Sequence, residues 1–482
     1  LIEQASVNAF CFPTMSIRYL LFTLTLGSTA LSAQEGQGVR LDDDAHGIHD
    51  NDLLSAEFHR GRREALRELM PDGGVAVLFA NPVRNRSNDV DFEYHQDPDL
   101  YYLSGLREPD AVLLLFKEPR SINGTSTTEL LVVRARDPKR EVWDGHRLGS
   151  EGAKAVLGLK YTMTGEEFLA MGTPFRSGDK VFLHLAEENL RNDPHASADL
   201  ADLIDHVEAK TPGTDLQDPG GLEDMLAYMR EIKLPEELAL MRKAIDITCE
   251  AQMELMWKLE PDMTEYQTEA IIEYVFKVNG AEHEGFPSIQ GGGPHSCVLH
   301  YVTNRRTLGD GDLLVSDVGA EYHGYTADVT RTIPANGRFT PDQRKIYDLV
   351  LAAQEAGIAE VHAGRSFQGP HRAATAVIAK GLVELGIIKD ESEVRRYFMH
   401  GTSHYLGLDV HDAGTYGPLR TGSVITVEPG IYIAKDSPCD PRWWGIGVRI
   451  EDDILVTAEG PVNLSVAAPR KAEEIEALMQ KE

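Results

Sequence analysis

The sequence predicts an α/β (α+β) protein built in two parts, and three observations carry that prediction. Short apolar runs of strand type alternate with helical patterns through the first part. A turn-rich stretch, PGTDLQDPGGL at 212–222, then interrupts the chain. From Pro235 onward, helices with regular apolar spacing alternate with paired strands. A length of 482 residues accommodates two or three domains. The 42% hydrophobic and 26% charged content is that of a soluble globular protein.

Taken in order, residues 1–33 are expected to be upstream residues and a signal peptide. The first methionine, Met15, opens MSIRYLLFTLTLGSTALSAQEG, in which Arg18 precedes an apolar run from Tyr19 to Leu26. Ser28, Ala30, Ser32 and Ala33 follow as small residues at the cleavage end. The run is too short to span a bilayer, so the expectation is an exported protein, periplasmic or secreted, without stable membrane insertion. The alternative is a disordered tail on a cytoplasmic protein. Residues 34–53, polar and rich in Asp, Gly and His, read as a linker.

A first domain is expected over 54–222. LSAEFHRGRREALRELM (54–70) has helical spacing and stops at Pro71. VAVLFA (75–80), AVLLLF (111–116), ELLVVRA (129–135) and KVFLHLA (180–186) read as strands. A second domain is expected over 223–482. Its first helix starts at Pro235 with glutamates in the first turn, and more helix follows at 264–279, 341–361 and 367–386. Strands with turns occupy 298–334 and 422–456. Each half of 235–460 thus has helices followed by a strand pair carrying two acidic residues.

Charge and cysteine content exclude some functions. There are 47 Lys+Arg against 77 Asp+Glu, a formal charge of -30, which repels phosphate backbones, so no nucleic-acid partner is expected. The four cysteines, Cys11, Cys249, Cys297 and Cys439, form no CxxC pair and no disulfide framework.

The chemistry concentrates in three stretches. In SDVGAEYHGYTADVTRT, Leu313, Val315 and Asp317 share one strand face, and Asp328, Thr330 and Thr332 share one on the next. A two-residue tip at Tyr322–His323, though not the preferred Asn-Gly, sets Asp317 directly opposite Asp328, about 4.5–5.5 Å apart at Cβ. Like charges so placed call for a cation or a shared proton; otherwise one aspartate faces water. A second acidic pair, Glu428 in ITVEPGIYI and Glu451 in GIGVRIEDDILV, has its midpoint in the loop around Cys439 and Pro441. Asp452 and Asp453 read as the turn out of that strand. FMHGTSHYLGLDVHD adds His400, His404 and His411, and His300 precedes the first stretch. A lone histidine is commonly structural; three in one glycine-containing segment beside two acidic pairs point to a site. Four carboxylates and one imidazole make a shell for two divalent cations, with oxygen ligation favouring Mn²⁺ and the imidazole admitting Zn²⁺, Co²⁺ or Fe²⁺. Two such ions hold a water as hydroxide, which is hydrolytic chemistry.

These stretches, taken in this order, resemble the proline-specific aminopeptidase (aminopeptidase P) family of pita-bread metallopeptidases. The likeness runs from about Ser55 to near the C-terminus and includes NRSNDVDFEYHQDPDLYYLSGLREPDAVLLL and KLPEELALMRKAIDIT. It implies a creatinase/aminopeptidase P-type α/β domain followed by a pita-bread catalytic domain. It further implies metal ligands at Asp317, Asp328, His404, Glu428 and Glu451. His300 and His411 would bind substrate and relay protons, His400 would line the site, Arg449 would support a carboxylate, and Tyr416 would shape the substrate pocket. The implied substrates are peptides with proline in second position, cut by attack of a metal-bridging hydroxide, in a homodimer or homotetramer. The Gly-rich GFPSIQGGGPHSC departs from the family pattern. The competing readings are a dipeptidase restricted to Xaa-Pro (prolidase), a non-catalytic binding protein on the same fold, and a creatine-type amidinohydrolase. The complete ligand set argues against the last two.

Overall fold

The computed structural model describes residues 50–184, 190–192, 197–217 and 220–480; the expected signal segment and linker residues 34–49 lie outside them. Ser55 caps the first helix, Ala56–Leu69, through its Oγ, which accepts from Phe58 N at 3.1 Å. The helix ends at Met70, where the backbone turns extended ahead of Pro71. Fully buried Arg63 fastens it to the sheet, donating to Glu129 at 2.9 Å and to the Leu103 carbonyl at 2.8 Å.

The expected apolar runs form one mixed six-stranded sheet. Its centre is Gly74–Phe79, antiparallel to Val112–Ile122 and parallel to Lys180–His184. Strand alternation sorts the side chains: Val75, Val77 and Phe79 pack with Phe168, Leu203 and Val207, while Ala76 and Leu78 face Leu66 and Leu100. Both faces are covered, which is why these runs are apolar throughout rather than alternating.

The second part is built around the helix Pro235–Lys258, with proline in its first turn as expected. Its buried Gln252 donates through Nε2 to the carbonyls of Ser316 and Val329, at 3.0 and 2.9 Å. One helical side chain therefore spans the two strands Leu313–Val318 and Val329–Pro334. Helices Pro341–Ile358 and Gly369–Glu384 pack on each other, and a second strand set, Val424–Val427, Gly430–Ile433, Ile446–Arg449 and Asp452–Val456, follows. Among the described residues, no helix is long and apolar enough to cross a membrane.

Candidate metal centre

The aspartate hairpin forms, but in a different register from the one expected. Tyr322 pairs with Tyr325, so the tip is His323–Gly324, and Asp317 lies opposite Thr330, not Asp328. Both tip residues have positive φ, 51° and 85°, the conformation of a two-residue hairpin turn, and glycine is the residue that takes it without strain. Asp328 precedes the strand Val329–Pro334 and is the diagonal neighbour of Asp317 on the same face, still within side-chain reach. The chain crosses between them through Gly319, where an added Cβ would sit 1.8 Å from the Ala327 carbonyl oxygen.

The glutamate hairpin keeps the expected register. Gly430 pairs with Arg449 and Ile433 with Ile446, so the ladder extended outward brings Glu428 opposite Glu451. Neither glutamate lies inside a strand: each sits at the break where the chain leaves one sheet for another. Asp452 and Asp453 do not turn out to water. Both are fully buried in the strand Asp452–Val456; Asp452 pairs with buried Arg331 at 2.7 Å, and Asp453 accepts from Asp328 N at 3.2 Å.

The two halves meet at the acids. Glu451 N donates to the Thr330 carbonyl at 3.1 Å, and Thr330 Oγ1 donates to Glu451 Oε2 at 2.6 Å. His404 enters from its loop, with Nε2 3.3 Å from Asp328 Oδ2 and 3.7 Å from Glu428 Oε1. Asp328, His404 and Glu451 each offer a ligand atom, and those atoms lie within 4.8 Å of one another. His404 Nδ1 is 3.0 Å from the Tyr405 carbonyl, which only accepts, so Nδ1 carries a proton and Nε2 is the ring atom turned toward the acids. Burial, then repulsion from Asp317, Asp453 and Glu428, pushes the Asp328 carboxyl far above its usual range. Burial, then repulsion from Asp328, Glu428 and Asp317, does the same to Glu451, and burial lifts Glu428 to about 7. Buried Asp317 Oδ1 and Asp328 Oδ1 have no hydrogen-bond partner. Orphaned carboxylate oxygens, mutual repulsion and an imidazole nitrogen aimed among them together fit a bound cation.

Arg449 donates to Asp317 Oδ2 and, at 3.0 Å, to the Tyr432 hydroxyl. Tyr432 in turn lies 2.9 Å from His400 Nε2, whose Nδ1 faces the Gly401 carbonyl at 2.6 Å. Burial, then the Arg449 charge, lowers His400 to about 4, so its ring is neutral and accepts from Tyr432. His411 stacks edge-on to His404 at 4.3 Å between centroids, and its pKa is lowered by burial and then by His404 and His300. His300 and His411 are both exposed, with His300 close enough to act on His411. Tyr416 is not brought into this cluster: its ring packs on Phe367 and Tyr405. Tyr432 and Asp453 are the residues that sequence reasoning missed. Tyr432 could have been found from its place in the strand that follows Glu428, and Asp453 from its alternation with Glu451.

The acid shell shared by the two hairpins is the donor set of a divalent-metal site, and the family match makes it that of a metallopeptidase. Residues 239–458 match the model of metallopeptidase family M24, whose members use divalent metals, and residues 59–179 match that of the aminopeptidase P N-terminal domain. The chain is 39% identical to an Xaa-Pro aminopeptidase of Escherichia coli, covering 89% of this chain and 98% of the relative. It is 34% identical to human Xaa-Pro aminopeptidase 3, covering 86% and 82%. The structure of proline aminopeptidase P II from Yersinia pestis superposes with a TM-score of 0.78 at 37% identity, over 88% of this chain and 99% of that one. Zinc-substituted E. coli aminopeptidase P in complex with product gives 0.79 at 37% identity, over 89% and 100%. The chain belongs to the Xaa-Pro aminopeptidase (aminopeptidase P) family.

Proposed function

We propose that this chain is a metal-dependent aminopeptidase that releases the N-terminal residue from peptides with proline in second position. The observation that carries this reading is the meeting of Asp328, His404 and Glu451, from three separate motifs, in a chain matched along almost its full length by Xaa-Pro aminopeptidases. The proposed ligands of two divalent cations are Asp317, Asp328, His404, Glu428 and Glu451. Mn²⁺ is the first choice because four of the five donors are hard oxygens, with Zn²⁺, Co²⁺ and Fe²⁺ admitted by the imidazole. Bound there, the cations would supply Lewis acidity and lower the pKa of a water.

The protein's own groups have distinct tasks. The Tyr405 carbonyl fixes the His404 tautomer and keeps Nε2 free for ligation. The chain Asp317–Arg449–Tyr432–His400 holds one aspartate oxygen in place and leaves the other free. His300 and His411, both exposed, are the proposed contacts to the substrate backbone and movers of protons. Proline has no N–H to read, so it is recognised by shape. Tyr416 belongs to an outer wall of the substrate approach. Export is supported by the order of charge, apolar run and small residues at 15–33.

Product analysis on Ala-Pro, Ala-Pro-Ala and longer peptides with added Mn²⁺ tests the activity. Release of alanine from the longer peptides is expected. Cleavage of the dipeptide alone overturns the reading in favour of a dipeptidase. Less than one metal per chain, with no gain in turnover on adding Mn²⁺ or Co²⁺, overturns it in favour of a binding protein.

A further inference from the structure

The stretch Arg230–Lys233, between the helices Gly220–Arg230 and Pro235–Lys258, buries three charged side chains within four residues: Arg230, Glu231 and Lys233 are 4%, 0% and 3% exposed. All three grip one loop, the one that carries His411. Arg230 Nη2 donates to Asp409 Oδ2 at 2.8 Å and to Asp412 Oδ1, and Lys233 Nζ donates to Asp412 Oδ2 at 2.8 Å. Glu231 Oε2 accepts from Thr415 N and Thr415 Oγ1, at 3.1 and 2.5 Å. Lys233 N donates to the Gly422 carbonyl at 3.0 Å. His411 thus lies between two aspartates that share one guanidinium.

The same guanidinium reaches a third carboxylate. Arg230 Nη1 donates to Asp99 Oδ1 at 2.8 Å, in the first turn of the helix Pro98–Ser104, inside the segment matched by the N-terminal domain model. A planar fork with several fixed donors can serve carboxylates on different sides at once, which an ammonium cannot. Gluing domains together would need only the Arg230–Asp99 pair. Here the hub also fixes both neighbours of an exposed histidine that stacks on His404.

We propose that Arg230 is a positioning residue that acts through His411, and that docking of Asp99 on it sets the loop geometry over the candidate metal centre. The inference rests on the role given above to His411. It makes the N-terminal domain a part of the catalytic device rather than a neighbour of it.

The test is a double-mutant cycle in the full chain loaded with Mn²⁺, following turnover of Ala-Pro-Ala, metal content and melting temperature. Asp99→Asn is expected to lower kcat about tenfold while metal per chain stays at the wild-type level. In a His411→Ala background the same change is expected to alter kcat by less than about twofold, because the group it acts through is gone. A kcat for Asp99→Asn within about twofold of wild type overturns the proposal, as does an equal loss in both backgrounds, which would mark a merely structural contact. His411→Ala with full turnover overturns the role of His411 and the proposal with it; a deficient His411→Ala combined with an additive Asp99→Asn overturns the proposal alone. If Asp99→Asn does not fold, Asp409→Asn, at a carboxylate whose side chain is 46% exposed, runs the same cycle with the same criteria.

Discussion

Replacing Glu237 by glutamine should stabilise the protein at alkaline pH and leave it unchanged in acid. Glu237 lies in the first turn of the helix Pro235–Lys258, is 1% exposed, and accepts from Leu234 N at 2.9 Å and from the Tyr325 hydroxyl at 3.0 Å. Burial raises its carboxyl from the ordinary 4.5 to about 7, against the lowering pull of these bonds and of Lys233. The folded state therefore binds the proton more tightly than the unfolded chain. That contribution is complete below pH 4.5 and is lost as the pH rises through 7. At about 1.4 kcal/mol per pH unit, the ionised group costs roughly 3 kcal/mol at pH 8. Glutamine mimics the protonated acid: its carbonyl accepts from Leu234 N and its amide donates to Tyr325 Oη. Urea unfolding of both proteins, stripped of metal, at pH 4.5 and pH 8 measures the difference and cancels every other titrating group. The glutamine variant should gain on the order of 3 kcal/mol at pH 8 and nothing at pH 4.5. A difference independent of pH, or a loss at pH 8, refutes the reasoning.

Four further outcomes are expected. Asp328→Asn should abolish turnover and lower metal content while circular dichroism stays native; full activity would reduce the stretch to a plain hairpin. Metal removal should lower the melting temperature of the wild type, since free metal at a hundredfold excess over its Kd adds about 2.7 kcal/mol, whereas Asp328→Asn should show little of this dependence. Gly319→Ala, which forces a Cβ against the Ala327 carbonyl oxygen at 1.8 Å, should cost at least about 4 kcal/mol and appear as loss of soluble folded protein; wild-type melting would contradict the tight crossing. Tyr432→Phe leaves Arg449 without one acceptor and should cost about 1–3 kcal/mol in urea unfolding, together with reduced turnover.

Much of this was legible in the sequence because the informative patterns are local. The helix at Pro235 carries its own start signals, and the two acidic pairs sit on hairpins that period-two alternation can align. The register of the first hairpin follows turn chemistry rather than the symmetric spacing of the two aspartates, because His323–Gly324 supplies the glycine that a positive-φ tip demands. Asp452 and Asp453 read as the turn out of the strand because consecutive acids usually face water. Alternation with Glu451 puts Asp453 on the inward face, but the partners that satisfy the two acids, Arg331 and the Asp328 amide, lie more than a hundred residues away along the chain. Tyr416 and Tyr432 both lie close to the motifs, and it is the strand Gly430–Ile433, running on from Glu428, that sets Tyr432 against His400 and Arg449. The Arg230 hub joins three segments and was invisible for that reason.

The division of the acids between two hairpins also bears on how the molecule is made. Each hairpin is a short-range pairing, but about a hundred residues separate Asp328 from Glu428 along the chain. During synthesis the aspartate hairpin and the helices Pro341–Ile358 and Gly369–Glu384 emerge before either glutamate exists. Each nascent half carries only its own pair of like charges, and the full repulsion among four carboxylates arises in one late step, when the halves close. A divalent cation present at that step would offset this repulsion as the halves close.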